Sequence, residues 1–228
     1  EVVRIQGYER VGSSLPAIKQ PGGLPAPYAF RQRVREALRR AGLREVRLIP
    51  FVSDEDLEMV RDDDAVRVTN PLQADEGWLR TRLLPGLLTT ARRNVRRHVR
   101  SVAVFEVDTV FRMMDGQPVE RPKAAFAMTG NADPGWASGD RPFDVFDAKG
   151  VVEALMAELG IGWSLGAPAG RPFHPGRSAV VEANGERVGV LGEIHPAVAE
   201  RFDIPGRVGV AELEVEVLMR LARRFVRV

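Results

Sequence analysis

Five arginines at helical spacing, Arg92, Arg93, Arg96, Arg97 and Arg100, give this chain its densest set of side chains able to do chemistry. A guanidinium is always charged and offers five donors in a planar fork. Such a face grips nucleic-acid phosphates, pairs with acids on a partner helix, or simply stays solvated. The acids Asp54, Glu55, Asp56, Glu58, Asp62, Asp63 and Asp64 form the opposite concentration. They lack the central Gly and terminal Glu of a calcium loop, so they read as a solvated face. His98 lies on the Arg face, while His174 and His195 each precede a proline and are pushed toward extended backbone. Their spacing is not that of a metal site, and structural roles at strand ends fit them better. Trp78, Trp136 and Trp163 read as core or interface anchors, because no strand interleaves aromatics with basic residues.

The chain has 228 residues and no cysteine, which removes disulfide scaffolds, cysteine zinc sites and thiol catalysis. Three lysines leave 30 arginines among the 33 basic residues, yet the formal net charge is only +2. That balance does not mark a dedicated nucleic-acid module. No apolar run approaches the ~20 residues of a membrane span, and neither a dinucleotide nor a P-loop fingerprint occurs.

The elements that must position these residues follow from periodicity. Glu1–Tyr8 reads as the last turns of a helix. Residues 16–27, rich in Pro and Gly, read as a linker, with 1–15 the tail of a preceding domain and 28–228 the main domain. Tyr28–Ala41 is expected to be an amphipathic helix burying Phe30, Val34 and Leu38. Glu45–Val52 and Ala65–Thr69 read as strands, and Asp54–Asp64 as a short helix or loop. Leu83–Val99 is a helix with Leu84, Leu87, Leu88, Ala91, Val95 and Val99 on one face and Pro85 tolerated in its first turn. Strands are expected at Val102–Met113, Arg121–Thr129, Ser178–Glu182, Arg187–Ile194 and Val208–Val215, with a tight turn at Asn184-Gly185 and a helix at Ala148–Leu159. Strands joined by short turns, with segregated helices, define an α+β domain on an antiparallel sheet.

Four blocks carry a family resemblance: NPLQADEGWLRTRLLPGLL at 70–88 with the Arg-rich continuation, Val104–Met113, RPFDVFDAKGVVEALMAELG at 141–160, and FHPGRSAVVEANGERVGVLGEIHPAVAERFDI at 173–204. In order and spacing they resemble the catalytic-like core of the bacterial phenylalanyl-tRNA synthetase beta subunit, across essentially the whole chain. The resemblance implies a class II aminoacyl-tRNA synthetase-like antiparallel sheet flanked by helices. It implies a cytoplasmic (αβ)2 heterotetramer in which the alpha subunit binds ATP and phenylalanine. The partners would be alpha, a second alpha–beta pair and tRNA(Phe). Editing and anticodon-side modules would lie outside this chain.

Under the same resemblance the helix after Asn70-Pro71 builds a subunit interface through Leu84, Leu87, Leu88 and Val95. Arg92, Arg93, Arg96, Arg97 and Arg100 would meet a partner or tRNA. Glu1 aligns with the last Glu of a run supplying Mg2+ ligands. An active class II site needs one Arg after a strand and another at a helix start, both stabilising phosphoryl charge. Arg112 is followed by Met113-Met114-Asp115 instead of an Arg-x-Glu arrangement, Gly206-Arg207-Val208-Gly209 leads into an acidic strand, and Arg220 lies too far along. The expectation is therefore an enzyme component that is inactive alone and has no catalytic residue of its own.

Overall fold

The computed structural model describes residues 1–15, 17, 22–60, 64–71, 73, 75–132 and 141–222. Asp62, Asp63, Trp136 and part of the expected linker lie outside the described residues. The helices are α1 (Val2–Gln6), α2 (Ala26–Arg40), α3 (Asp54–Val60), α4 (Leu84–Arg96), α5 (Val145–Leu159), α6 (Pro196–Arg201) and α7 (Val215–Leu221). The long strands are β5 (Ser101–Met114), β6 (Gln117–Ala132), β9 (Phe173–Ala183), β10 (Glu186–Ile194) and β11 (Val208–Glu214). Short strands are β1 (Arg44–Glu45), β2 (Phe51–Val52), β3 (Val66–Arg67), β4 (Trp78–Leu79), β7 (Arg141–Pro142) and β8 (Ser164–Leu165).

The main sheet runs β1-β5-β6-β11-β10-β9-β8, with β7 pairing on β6. Every pairing in it is antiparallel except β1 against β5. This is the α+β architecture expected from the sequence. The two long hairpins close through Asp115-Gly116 and Asn184-Gly185, all four residues with positive φ. That backbone matches the twist of antiparallel strands, which is why Asn/Asp-Gly pairs sit there.

Alternation in the central strands explains why the sheet is buried on both sides. Phe105, Val107, Ala124, Phe126, Ala211 and Leu213 face a core shared with α2, α5 and α7. Val102, Val104, Ala125, Ala127, Val208 and Val210 face a second core shared with α4 and α6. α5 is fixed at both ends. Asp144 accepts from Asp147 N at 3.3 Å, and Asp147 accepts from Asp144 N at 2.9 Å, a reciprocal capping box. At the other end Gly160 is left-handed and Ile161 N donates to Met156 O at 2.9 Å.

Three expectations change in detail. Glu45–Val52 is not one strand: β1 joins the main sheet and β2 a separate three-stranded sheet ordered β2-β4-β3. Leu48 N donates to the Glu106 carboxylate at 2.9 Å, and Pro50 has no N–H, so no ladder continues between them. α2 starts at Ala26, with Pro27 inside its first turn, where its missing N–H costs nothing. α4 ends at Arg96, and His98 turns left-handed at φ 60°. The short helices α6 and α7 were not expected from periodicity. Among the described residues no helix is long and apolar enough to cross a membrane.

Candidate functional site

The small sheet docks beside the far half of β5 through the residues flanking β4 and β3: Phe111 N donates to Arg80 O at 2.9 Å and Met113 N to Asp64 O at 2.7 Å. This places Arg80 over the inner face of β5. Its guanidinium donates to both Glu106 oxygens at 3.0 and 3.2 Å and to Thr109 O at 3.0 Å, and it lies 3.4 Å from Asp108. Arg80 and Glu106 are only 5% and 1% exposed. Burial pushes the Glu106 carboxyl above its ordinary range, and the Leu48 N–H and Arg80 charge oppose that shift. A raised folded value means that this group favours the fold at low pH. Its contribution is lost as pH rises through the folded value.

Two more buried glutamates repeat the pattern. Glu212 accepts from Leu83 N at 2.8 Å, at the start of α4, and lies 3.4 Å from Lys123. Glu193 accepts from Val145 N at 3.2 Å, at the start of α5, and is paired with Arg177 and, at 4.0 Å, Arg207. Each carboxylate ties a flanking segment to the sheet by a main-chain N–H and is neutralised by a cation. None is left as an unengaged general base.

Beyond the start of α4 the same face of the sheet opens into a cleft of about 510 Å³. Its cations are Arg82, Arg112, Arg121, Lys123 and Arg187, and its carboxylates Asp64, Glu212 and Glu214. Arg112 donates to Asp64 at 2.7 Å, and Lys123 lies 3.1 Å from Glu214. Arg121 donates to the Met114 thioether at 3.3 Å.

The residues singled out from the sequence fall in different environments. Leu84, Leu87 and Leu88 are buried among β5, β6 and α4 of this same chain, so they give a partner no surface; Val95 is half-buried. The apolar stripe was legible, but periodicity cannot tell an internal core from a subunit seam. Arg92 is half-buried, and Arg93, Arg96, Arg97 and Arg100 are exposed. Arg96 pairs with Asp203 at 2.6 Å, and Arg100 is engaged within the chain. Arg92, Arg93 and Arg97 make no ion pair among the described residues.

Glu1 is exposed and lies 2.7 Å from Arg4. One carboxylate already paired with a cation does not fit Mg2+, which asks for about six oxygen ligands. The described residues hold no group of three metal-ligating side chains. Arg112 is held by Asp64, Arg220 pairs with Glu186 at 2.6 Å, and His174 and His195 accept from Gly176 N and Ala197 N. Trp78 donates to Asp54 at 2.6 Å under the Arg67 guanidinium, and Trp163 packs against the α5 core. Sequence reasoning missed the buried charges. In β5, Glu106 continues the alternation of Val102 and Val104, and an acid at a core position was the available signal.

Residues 11–215 match the family described as the phenylalanyl tRNA synthetase beta chain CLM domain. Similar curated proteins are phenylalanine–tRNA ligase beta subunits. That of Symbiobacterium thermophilum is 41% identical over 96% of this chain and 26% of the relative. Those of Gloeobacter violaceus and Lactococcus lactis are 36% and 34% identical over 98% and 96% of this chain, each covering 28% of the relative. The chain thus spans about a quarter of the length of the curated relatives it matches.

Proposed function

Because the chain belongs to the phenylalanyl-tRNA synthetase beta chain family, we propose that it acts as a non-catalytic, class II-like core. In this reading it assembles with the catalytic alpha subunit, and then with a second alpha–beta pair, in the cytoplasm. The complex joins phenylalanine to tRNA(Phe) with ATP and Mg2+, both handled outside the residues described here. The observation that carries the non-catalytic reading is the state of the buried carboxylates. Glu106, Glu193 and Glu212 each hold a main-chain N–H and a cation. Groups fixed in that way orient the scaffold and are not available to move protons or bind a metal.

The partner-facing surface is better sought at the amino-terminal flank than on α4. Val2, Val3, Ile5, Tyr8, Val11, Leu15, Leu24 and Tyr28 are all exposed, and α1 contributes no buried residue. Exposed apolar side chains gathered along one stretch of chain suit a segment that an adjoining domain or subunit covers. Residues 1–15 then belong to a preceding domain, and the linker after them ends where α2 begins, at Ala26.

The test is co-expression with a matching alpha subunit followed by light scattering. A stable alpha complex containing this chain is the expected result. Two folded chains that do not associate would move assembly to other parts of the subunit. ATP–pyrophosphate exchange by this chain alone is expected to be at background, and activity there would overturn the non-catalytic reading.

A second reading, tRNA contact through the α4 surface, is favoured by Arg92, Arg93 and Arg97, which have no ion pair among the described residues. It predicts a steep fall in tRNA affinity with salt.

A further inference from the structure

The cleft beside the start of α4 has a feature that the scaffold role does not use. Among the described residues its lining carries five cations against three carboxylates. Each carboxylate has a cation beside it: Asp64 has Arg112 at 2.7 Å, and Glu212 and Glu214 share Lys123 at 3.4 and 3.1 Å. Lys123 is buried, so its charge is fixed at the base of the cleft.

Arg82 is engaged within the chain, and two guanidiniums on opposite sides of β11 remain. Arg121, on β6, has a thioether as its side-chain acceptor, a weak one for a charged donor. Arg187, on β10, is exposed and makes no ion pair among the described residues. β11 lies between those two strands in the sheet order, so both cations border the same trough. Neither is matched by a lining carboxylate among the described residues, which leaves two positive charges at the trough.

We infer that this cleft binds a phosphate-bearing anion, gripped by Arg121 and Arg187, with Arg112 and Lys123 as fixed positive walls. The chemistry follows from the donors. Guanidinium forks match phosphoryl oxygens bidentately, and a partly enclosed site weakens competition from water. Two phosphoryl groups suit an excess charge of two better than a single carboxylate does. Such groups come either from a free polyphosphate or from a nucleic-acid backbone.

The experiment is calorimetric titration of the whole 228-residue chain with inorganic pyrophosphate at low salt. Saturable binding is expected, weakened about tenfold or more by Arg121→Ala and by Arg187→Ala. Arg40→Ala, on α2 across the sheet, is expected to leave it unchanged. Glu214→Gln removes a negative charge from the lining and is expected to tighten binding, a gain that a poorly folded variant cannot imitate. Circular dichroism checks the fold of each variant. A short unstructured RNA provides the second arm. Competition with pyrophosphate and the same two arginine dependences assign the phosphates to a nucleic-acid backbone; pyrophosphate binding without RNA binding assigns them to a free polyphosphate. Absence of saturable pyrophosphate binding overturns the inference, as does binding indifferent to both arginines. Neither alpha-subunit association nor aminoacylation enters this readout, so the assembly reading stands or falls separately.

Discussion

The two faces of the main sheet are built on different principles. The face under α2, α5 and α7 is apolar along most of its core, and its buried Glu193 sits at the edge, under the start of α5. The face under α4 is apolar only along the helix, then gives way to Arg80, Glu106, Lys123 and Glu212. One side is held by burial of area, which tolerates hydrophobic exchange. The other is held by matched charges, which tolerate almost nothing if one partner is removed alone. The contrast teaches that the buried charges set geometry: they fix where α4 and the small sheet sit without filling volume.

The largest expected effect breaks this contrast directly. Arg80→Ala leaves Glu106 buried without its cation and should cost about 3–5 kcal/mol in urea unfolding. The paired change Arg80→Met with Glu106→Leu should lie much closer to the parent chain. A cost for Arg80→Ala under ~1 kcal/mol would show that water reaches the site and the pair does not organise it.

Next in size is a comparison of helices. Leu155→Ala on α5 and Leu87→Ala on α4 should each cost about 2–5 kcal/mol, since both side chains are fully buried within this chain. A much smaller cost at Leu87, measured in the same denaturation, would mean that the α4 face is completed by a partner after all.

A smaller effect is linked to pH. Hydrogen bonding from Arg141 holds the Asp147 carboxyl below the ordinary range. A lowered folded value adds stability above the unfolded value, and that stability is lost as pH falls through the folded one. Asp147→Asn should therefore cost about 1 kcal/mol near neutrality, partly through the capping box. The difference from the parent should shrink in strong acid, as thermal melts across pH would reveal. Persistence of the full difference there would place the effect in the helix cap alone.

The smallest effect is Arg96→Ala. It removes an exposed pair with Asp203 and should change stability by roughly 0.2–1 kcal/mol. A larger loss would bring the α4 surface into the folding of the domain.

Much of this architecture was readable from side-chain periodicity. The second long hairpin announces itself by Asn184-Gly185, and α5 by its helical spacing of Val151, Val152, Leu155 and Leu159 with Gly160 behind. What periodicity cannot supply is the identity of whatever covers a face. The leucines of α4 were correctly read as a buried stripe, but the cover is this chain's own sheet. The run AELEVEV looks like a strand with glutamates turned to water, yet Glu212 is 4% exposed. Its environment is made by Lys123 and Leu83, 89 and 129 positions away, and no local pattern encodes that. Short helices such as α6 fail for the opposite reason: six residues are too few to show a period.

The three glutamate anchors have a further consequence for how this scaffold tolerates sequence drift. Glu106, Glu212 and Glu193 hold the peptide N–H of Leu48, Leu83 and Val145 and not their side chains. Any amino acid but proline offers that N–H. The grip is therefore blind to what the gripped residue is. Flanking segments can exchange side chains to suit new neighbours while the angle at which they leave the sheet stays the same.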